Sequence, residues 1–363
     1  MQLQKSEKTD VCIYLLQQGR AWRNRQRCCR NIIMQRMCGN QLHKLRSLMN
    51  KTLKIGTRGS KLALWQANWV KSSLEVKHPF LSIELEIIKT KGDKILDVPL
   101  ADVGGKGLFV KEIEEALIDG RIDLAVHSMK DMPGDIPKGL CIGAIPEREI
   151  PQDVLISRHK KPLLELAPGA KIGTSSLRRK AQLLHARPDL VVLPLRGNLD
   201  TRLKKLETEN LDAIVLAAAG VKRLGLESRI TEYLDENIML PAVGQGALCI
   251  EVRENDPVVE PIVASLEHPH TRTVILGERA FLNRLEGGCQ VPIAAYGKID
   301  KNIFTLAGLV AAVDGKTLFK ETLAGPEDSS ESIGVKLAER LISMGAEEII
   351  ETLKNELNEH YER

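Results

Sequence analysis

Cys289 lies in the string Glu286-Gly287-Gly288-Cys289-Gln290-Val291-Pro292, directly after a helical pattern. Two glycines before the thiol leave its backbone open, so a bulky electrophile can approach it, whereas most free cysteines are small, buried and inert. A second string, His127-Ser128-Met129-Lys130-Asp131-Met132-Pro133, follows a strand pattern. Ligands of open α/β sheets collect beyond the C-terminal ends of strands, which puts Lys130 and Asp131 where chemistry usually occurs. Asp131 suits a general acid or base, or a carboxylate that stabilises a developing cation; it equally suits a turn before proline. His127, at the strand end, reads as well as a satisfied, half-buried histidine and is not assigned as a base.

Arginines form the next constellation. Arg58, Arg178, Arg179, Arg196, Arg202 and Arg223 each fall near an expected strand end or helix start. A guanidinium fork matches a carboxylate in bidentate fashion, so several converging arginines point to a ligand with several carboxylates. Val103-Gly104-Gly105-Lys106-Gly107 lacks the spacing of a phosphate loop and reads as a segment that delivers Lys106 to a cleft. Pro241-Ala242-Val243-Gly244-Gln245-Gly246 reads as a hinge or crossing between lobes, with Gln245 available for hydrogen bonding. A plain surface loop is an equal reading of both strings.

The elements that must position these residues alternate from residue 53 onward, which predicts an α/β fold. Strands are expected at Leu53–Gly56, Ile83–Lys89, Leu124–His127, Lys171–Gly173, Val191–Leu195 and Ala213–Leu216, and helices at Leu62–Val76 and Leu108–Ile118, the latter stopped by Gly120. Lys54-Ile55-Gly56-Thr57-Arg58-Gly59-Ser60 and Lys171-Ile172-Gly173-Thr174-Ser175-Ser176 form a weak internal repeat. Each places hydroxyls and backbone N–H groups at a helix start, a ready anion site as well as an ordinary N-cap. Two similar lobes facing one cleft would bring both junctions onto one ligand. After residue 266 the pattern changes to a helix over Val274–Leu285, strands near Val291–Ile299, Phe304–Val313 and Thr317–Thr322, a loop at Gly325-Pro326, and helices over Ser330–Ser343 and Ala346–Glu356. That run predicts a separate α+β domain. The expected division is a basic leader over 1–50 outside the native fold, one lobe from 51–147 plus 241–265, a second from 148–240, and a C-terminal domain from 266–363.

Composition narrows the function classes. The leader holds ten Lys or Arg against two acids, so of the formal net charge of +4 the remaining chain carries −4. A mildly acidic body with 3% aromatic residues argues against nucleic-acid binding. No apolar run reaches the length of a membrane span. Cys141, Cys249 and Cys289 are scattered through the body without metal-ligand spacing, so neither a disulfide framework nor a metal is expected, and a reducing compartment fits. The leader reads as an upstream extension before Met49 or as an import segment poor in serine.

From about Leu53 to the C-terminus the chain resembles the porphobilinogen deaminase family, also called hydroxymethylbilane synthases. Five motifs in family order carry the resemblance: Gly56-Thr57-Arg58-Gly59-Ser60, Val126-His127-Ser128-Met129-Lys130-Asp131, Gly173-Thr174-Ser175-Ser176-Leu177-Arg178-Arg179, Leu195-Arg196-Gly197-Asn198 and Leu285-Glu286-Gly287-Gly288-Cys289-Gln290-Val291-Pro292. The resemblance implies two lobes similar to periplasmic binding proteins, crossed twice by the chain, and a small α+β domain that presents the cysteine. It implies a cytoplasmic, monomeric transferase of tetrapyrrole (heme) biosynthesis. Its Cys289 would hold a dipyrromethane cofactor as a thioether, priming the stepwise addition of four porphobilinogen molecules with loss of ammonia before hydrolysis releases hydroxymethylbilane. Asp131 matches the family's catalytic aspartate, placed to stabilise the electron-poor azafulvene left when ammonia departs. By the same resemblance Lys130, Asp131, Ser176, Arg178, Arg179, Arg196, Arg202, Arg223 and Gly246 would contact the cofactor. Arg58, Ser60, Lys106, Thr174, Ser175, Arg196, Arg202 and Gln245 would contact the substrate. Asp102 stands where some relatives carry lysine, so no contact is assigned to it.

Two other classes remain in view. A non-catalytic anion-binding protein on the same two-lobed scaffold explains the arginines and the hinge but gives Cys289 and Asp131 no task. A cysteine-nucleophile hydrolase lacks a His or Asn motif to partner the thiol.

Overall fold

Short parallel strands, each feeding a helix, build the first half of the chain. The computed structural model describes residues 52–94, 110–285 and 291–361. The basic leader, the Lys106 string with Asp102, and Cys289 with its glycines lie outside the described residues. Strands β1 (Thr52–Thr57), β2 (Ser82–Ile87) and β3 (Leu124–Ser128) are parallel, and β4 (Leu140–Ala144) follows. The chain then crosses to a second sheet with β5 (Asp153–Ser157), β6 (Lys171–Gly173), β7 (Val191–Leu193), β8 (Ala213–Ala217) and β9 (Glu232–Tyr233), and returns to the first as β10 (Leu248–Arg253).

The two sheets share one plan. The first has the order β2-β1-β3-β10-β4 and the second β7-β6-β8-β5-β9. In each, three parallel strands are followed by one antiparallel strand, β10 against β3 or β5 against β8. That fourth strand is supplied each time by the crossing segment that arrives from the other lobe. The architecture is thus two α/β lobes of one plan joined by two crossings.

Helix starts follow local chemistry. Ser60 caps the Lys61–Lys77 helix by accepting from the Ala63 N–H, and Ser176 caps Leu177–Ala186 by accepting from the Arg179 N–H. Both expected junctions are therefore real strand-to-helix turns. The Lys111–Ile118 helix ends where Gly120 takes φ +68°, a conformation that favours glycine. Leu53, Ile55, Leu124, Val126 and Ile250 bury against Ala67, Val70 and Leu74 in the first lobe. The second lobe has a core on each face of its sheet, one around Leu155, Ile172, Leu183 and Val215, the other around Ile156, Leu203 and Ile214.

The third unit is an antiparallel sheet of β11 (Ile293–Asp300), β12 (Ile303–Ala311) and β13 (Leu318–Pro326), covered by helices Pro269–Arg284, Ser330–Leu341 and Glu347–Tyr361. Two expectations shift here. The first helix begins at Pro269 rather than Val274, because His268 caps it and proline suits its first turn. Gly325-Pro326 ends β13 rather than forming a loop; β13 is an edge strand, where the missing N–H of proline is tolerated.

Candidate functional site

The C-terminal ends of the parallel strands of both lobes form facing rims. From β3 the chain enters a single tight turn, Met129–Asp131, which carries Lys130 and Asp131, both half-buried. From β1 it enters the turn with Arg58 and Ser60; from β6, the turn with Thr174, Ser175 and Ser176. Ser175 Oγ ties this turn to the one after β7, accepting from the Leu195 N–H and donating to the Leu195 carbonyl, both at 3.0 Å. Arg196 and Gly197 follow directly, and Asn198 caps the Leu199–Thr208 helix that carries Arg202.

At the centre of this arrangement lies Asp153, fully buried at the first position of β5. Its Oδ2 accepts from Arg178 Nη1 at 2.7 Å, and its Oδ1 from Arg179 Nη2 at 2.7 Å, Arg179 Nε at 3.0 Å and Gln245 Nε2 at 3.0 Å. Burial alone would raise this carboxyl; Arg178 and Arg179 outweigh it and hold Asp153 well below the usual carboxylate range. Sequence reasoning missed Asp153. The available signal was an acid opening the otherwise apolar run Val154-Leu155-Ile156. The two arginines expected to face a ligand thus also turn onto this residue, and Arg178 Nη1 and Arg179 Nη1 further donate to the carbonyls of Leu240 and Val215.

Gln245 connects the hub to the first lobe. It is fully buried in the return crossing, donates to the Pro151 carbonyl at 2.6 Å, and accepts from Lys130 Nζ at 3.4 Å. Burial, reinforced by the nearby Arg179, lowers the Lys130 ammonium to about 8. Burial likewise lowers the Arg202 guanidinium to about 10, with Arg179 adding repulsion and Asp131 opposing it. Lys130, Arg178, Arg179 and Arg202 therefore share one region in which, among the described residues, Asp131 and Asp153 offset them. Such a surplus of cationic donors fits a polycarboxylate, and among the described residues it surrounds one acid outside the Asp153 hub, Asp131.

Other expected residues sit beside this cluster. Arg223 is buried, lowered to about 10 by burial against the pull of Glu149, and donates Nη2 to the Gly246 carbonyl at 2.7 Å. Gly246 takes φ +90°, and a Cβ there would collide with the Glu149 carbonyl, so the crossing requires glycine. His127 proves to be a satisfied core residue: its Nε2 lies 2.9 Å from Glu251 Oε2 of β10. Burial, with Glu251 close by, raises the adjoining Glu114 to about 7.

Comparison with known proteins agrees with this chemistry. A family model described as porphobilinogen deaminase, dipyromethane cofactor binding domain, matches residues 53–261, and one for the porphobilinogen deaminase C-terminal domain matches 273–343. The porphobilinogen deaminase of Pelobacter propionicus is 57% identical over 301 residues, 83% of this chain and 97% of that protein. That of Syntrophotalea carbinolica is 56% identical over 306 residues, 84% of this chain and 97% of the relative. Among solved structures, the probable amino-acid ABC transporter extracellular-binding protein of Bacillus subtilis matches with a TM-score of 0.38 at 9% identity, covering 60% of this chain and 90% of that one. The chain belongs to the porphobilinogen deaminase family, transferases that take porphobilinogen as substrate and contain a dipyrromethane-binding domain.

Proposed function

We propose that the chain joins four porphobilinogen molecules head to tail, with loss of ammonia at each addition and hydrolytic release of hydroxymethylbilane, as a monomer in the cytoplasm. Family membership, together with a cationic cluster around the Asp131 carboxylate, supports this reading. A dipyrromethane joined to the Cys289 sulfur as a thioether would supply the nucleophilic pyrrole carbon.

The remaining roles fall to this chain's own side chains. Asp131 accepts from the pyrrole N–H and stabilises the positive charge that develops as the aminomethyl group of porphobilinogen departs. Arg58, Arg196 and Arg202 hold acetate and propionate groups, helped by Ser60, Thr174, Ser175 and Ser176 and by Lys106 from its glycine-rich string. Arg178 and Arg179 carry more charge than Asp153 neutralises, so the same pair serves both the hub and the bound carboxylates. Lys130 adds a cation whose charge is strengthened by each carboxylate that arrives, since an opposite charge favours the ionised form.

Intact-protein mass measurement tests the reading. The purified chain should carry an added two-pyrrole unit, and brief exposure to porphobilinogen should yield a ladder of one-pyrrole steps. Cys289→Ser should lack the added mass. Asp131→Asn should keep it and stay folded, yet lose turnover by about 100-fold or more, the scale of losing one preorganised electrostatic group. Unmodified Cys289 in active protein, or normal turnover in Asp131→Asn, would refute the respective assignment.

A further inference from the structure

Beyond the cluster around Asp153, the two lobes also touch at one outer contact. It joins the start of the Lys61–Lys77 helix in the first lobe to the Leu199–Thr208 and Ala218–Arg223 helices of the second. Lys61 Nζ lies 3.0 Å from Asp200 Oδ2. The Arg223 guanidinium stands over the Trp65 ring, 5.9 Å from its centre. Between them, Gly220 faces both lobes, and a Cβ there would make ordinary contacts of 3.4 Å with Leu199 Cδ1 and 3.5 Å with Leu62 Cδ2.

The charges are arranged so that they match only across the lobes. Lys61 is the first residue of its helix, where the helix dipole disfavours a cation, and that helix has no acid in its first turn. The second lobe supplies the missing negative charge through Asp200, itself in the first turn of its own helix. Arg223 carries the contact inward, because the guanidinium that stands over Trp65 also holds the Gly246 carbonyl at the return crossing. The same carbonyl accepts from the Glu149 N–H at 3.3 Å, so the two crossing segments are sewn together at that point. Trp65 thereby braces the hinge without touching the reacting atoms.

We infer that Trp65, with Arg223, Lys61 and Asp200, forms a releasable latch between the lobes, and that Trp65 acts as a positioning residue that keeps the cleft closed until the bound chain outgrows it. The inference rests on the proposed four-unit elongation, which requires one cleft to accommodate a lengthening product. The parts suit repeated release. Lys61 and Asp200 are 74% and 39% exposed in their side chains, and such surface ion pairs are individually weak. The contact of the half-exposed Trp65 with the buried Arg223 is weak for a different reason: at 5.9 Å from the ring centre the guanidinium stands at the outer limit of a cation–π interaction. Together they bias the closed form by about tenfold, enough to set a preference and small enough for a new pyrrole's contacts to reverse.

The test follows the cleft and the chemistry separately in full-length protein carrying its cofactor. Trp22→Phe and Trp69→Phe leave Trp65 as the only tryptophan, since the chain has three. In that background Asp200→Lys should shift Trp65 emission to longer wavelength and increase the radius of gyration from small-angle scattering. Trp65→Ala in the native background should also enlarge that radius, and Trp65→Phe, which keeps a ring under Arg223, should restore it. In the mass ladder, Asp200→Lys and Trp65→Ala should raise the ratio of three- and four-unit to one-unit intermediates by about tenfold, the converse of the bias above. Unchanged emission and scattering in Asp200→Lys would overturn the latch. An opened cleft with an unaltered ladder would overturn its role in elongation. A parent protein that forms no ladder would instead refute the elongation reading, while emission and scattering still decide whether the latch exists.

Discussion

Lys130 shows how one side chain can be set for its ligand before the ligand arrives. Its ammonium is lowered to about 8 by burial and by Arg179, against a free-lysine value near 10.4. Between those two values the folded chain binds fewer protons than the unfolded one, so Lys130 makes the empty protein more stable as pH rises through that window. Ligand carboxylates act in the opposite direction, because they favour the charged form. Substrate KM should therefore rise above pH of about 8, and Lys130→Arg, which stays charged, should flatten that alkaline limb in a pH–rate series. A limb that persists unchanged in Lys130→Arg would assign it to another group.

At the scale of elements, β5 does more than complete a sheet, because its first residue fastens the start of the Leu177–Ala186 helix. Asp153→Asn would leave Arg178 and Arg179 buried with too little opposing charge. We expect a loss of about 3–5 kcal/mol in denaturant unfolding, the usual consequence of breaking a buried pair from one side. The carboxyl is held below its unfolded value, so its contribution is present above pH of about 4 and is lost as pH falls further. A variant as stable as the parent would mean that the guanidiniums find other partners. This hub also marks the limit of what the sequence discloses. The capped junctions at Ser60 and Ser176 were legible because strand, hydroxyl and helix follow one another locally. Strands β5 and β10 were not, since each is buried almost throughout and lacks the alternation that marks a half-exposed strand. The inward turn of Arg178 and Arg179 was hidden for the same reason: their partner is 25 or 26 residues away and enters from the other lobe's side of the crossing.

Over the whole molecule, Glu278 joins the C-terminal sheet to both crossings. This fully buried carboxylate on the Pro269–Arg284 helix accepts from Arg148 Nη1 at 2.6 Å on one crossing, from the Gly244 N–H at 2.7 Å on the other, and from the Gly297 N–H at 2.9 Å in β11. Glu278→Ala should cost about 3–5 kcal/mol and accelerate hydrogen exchange in β11 and at Gly244 before the lobes themselves unfold. Uniform exchange across all three units would show that they are held by apolar packing instead. Family and overall architecture were readable because five motifs keep their order along the chain; the joints between units were not, because they are made by single residues far apart in sequence.

The exchange of strands between lobes also bears on how the protein is born. Synthesis proceeds from the N-terminus, so β3 and β4 exist long before β10, which must be inserted between them. Until residue 253 has emerged, the first lobe presents two open strand edges, each a template for unwanted pairing. The second lobe waits less: its β8 must likewise enter between β5 and β6, but that strand is complete at residue 217. The lobe encoded later is thus the first able to close, and a ribosome that stops in the return crossing releases one finished lobe tethered to an unfinished one.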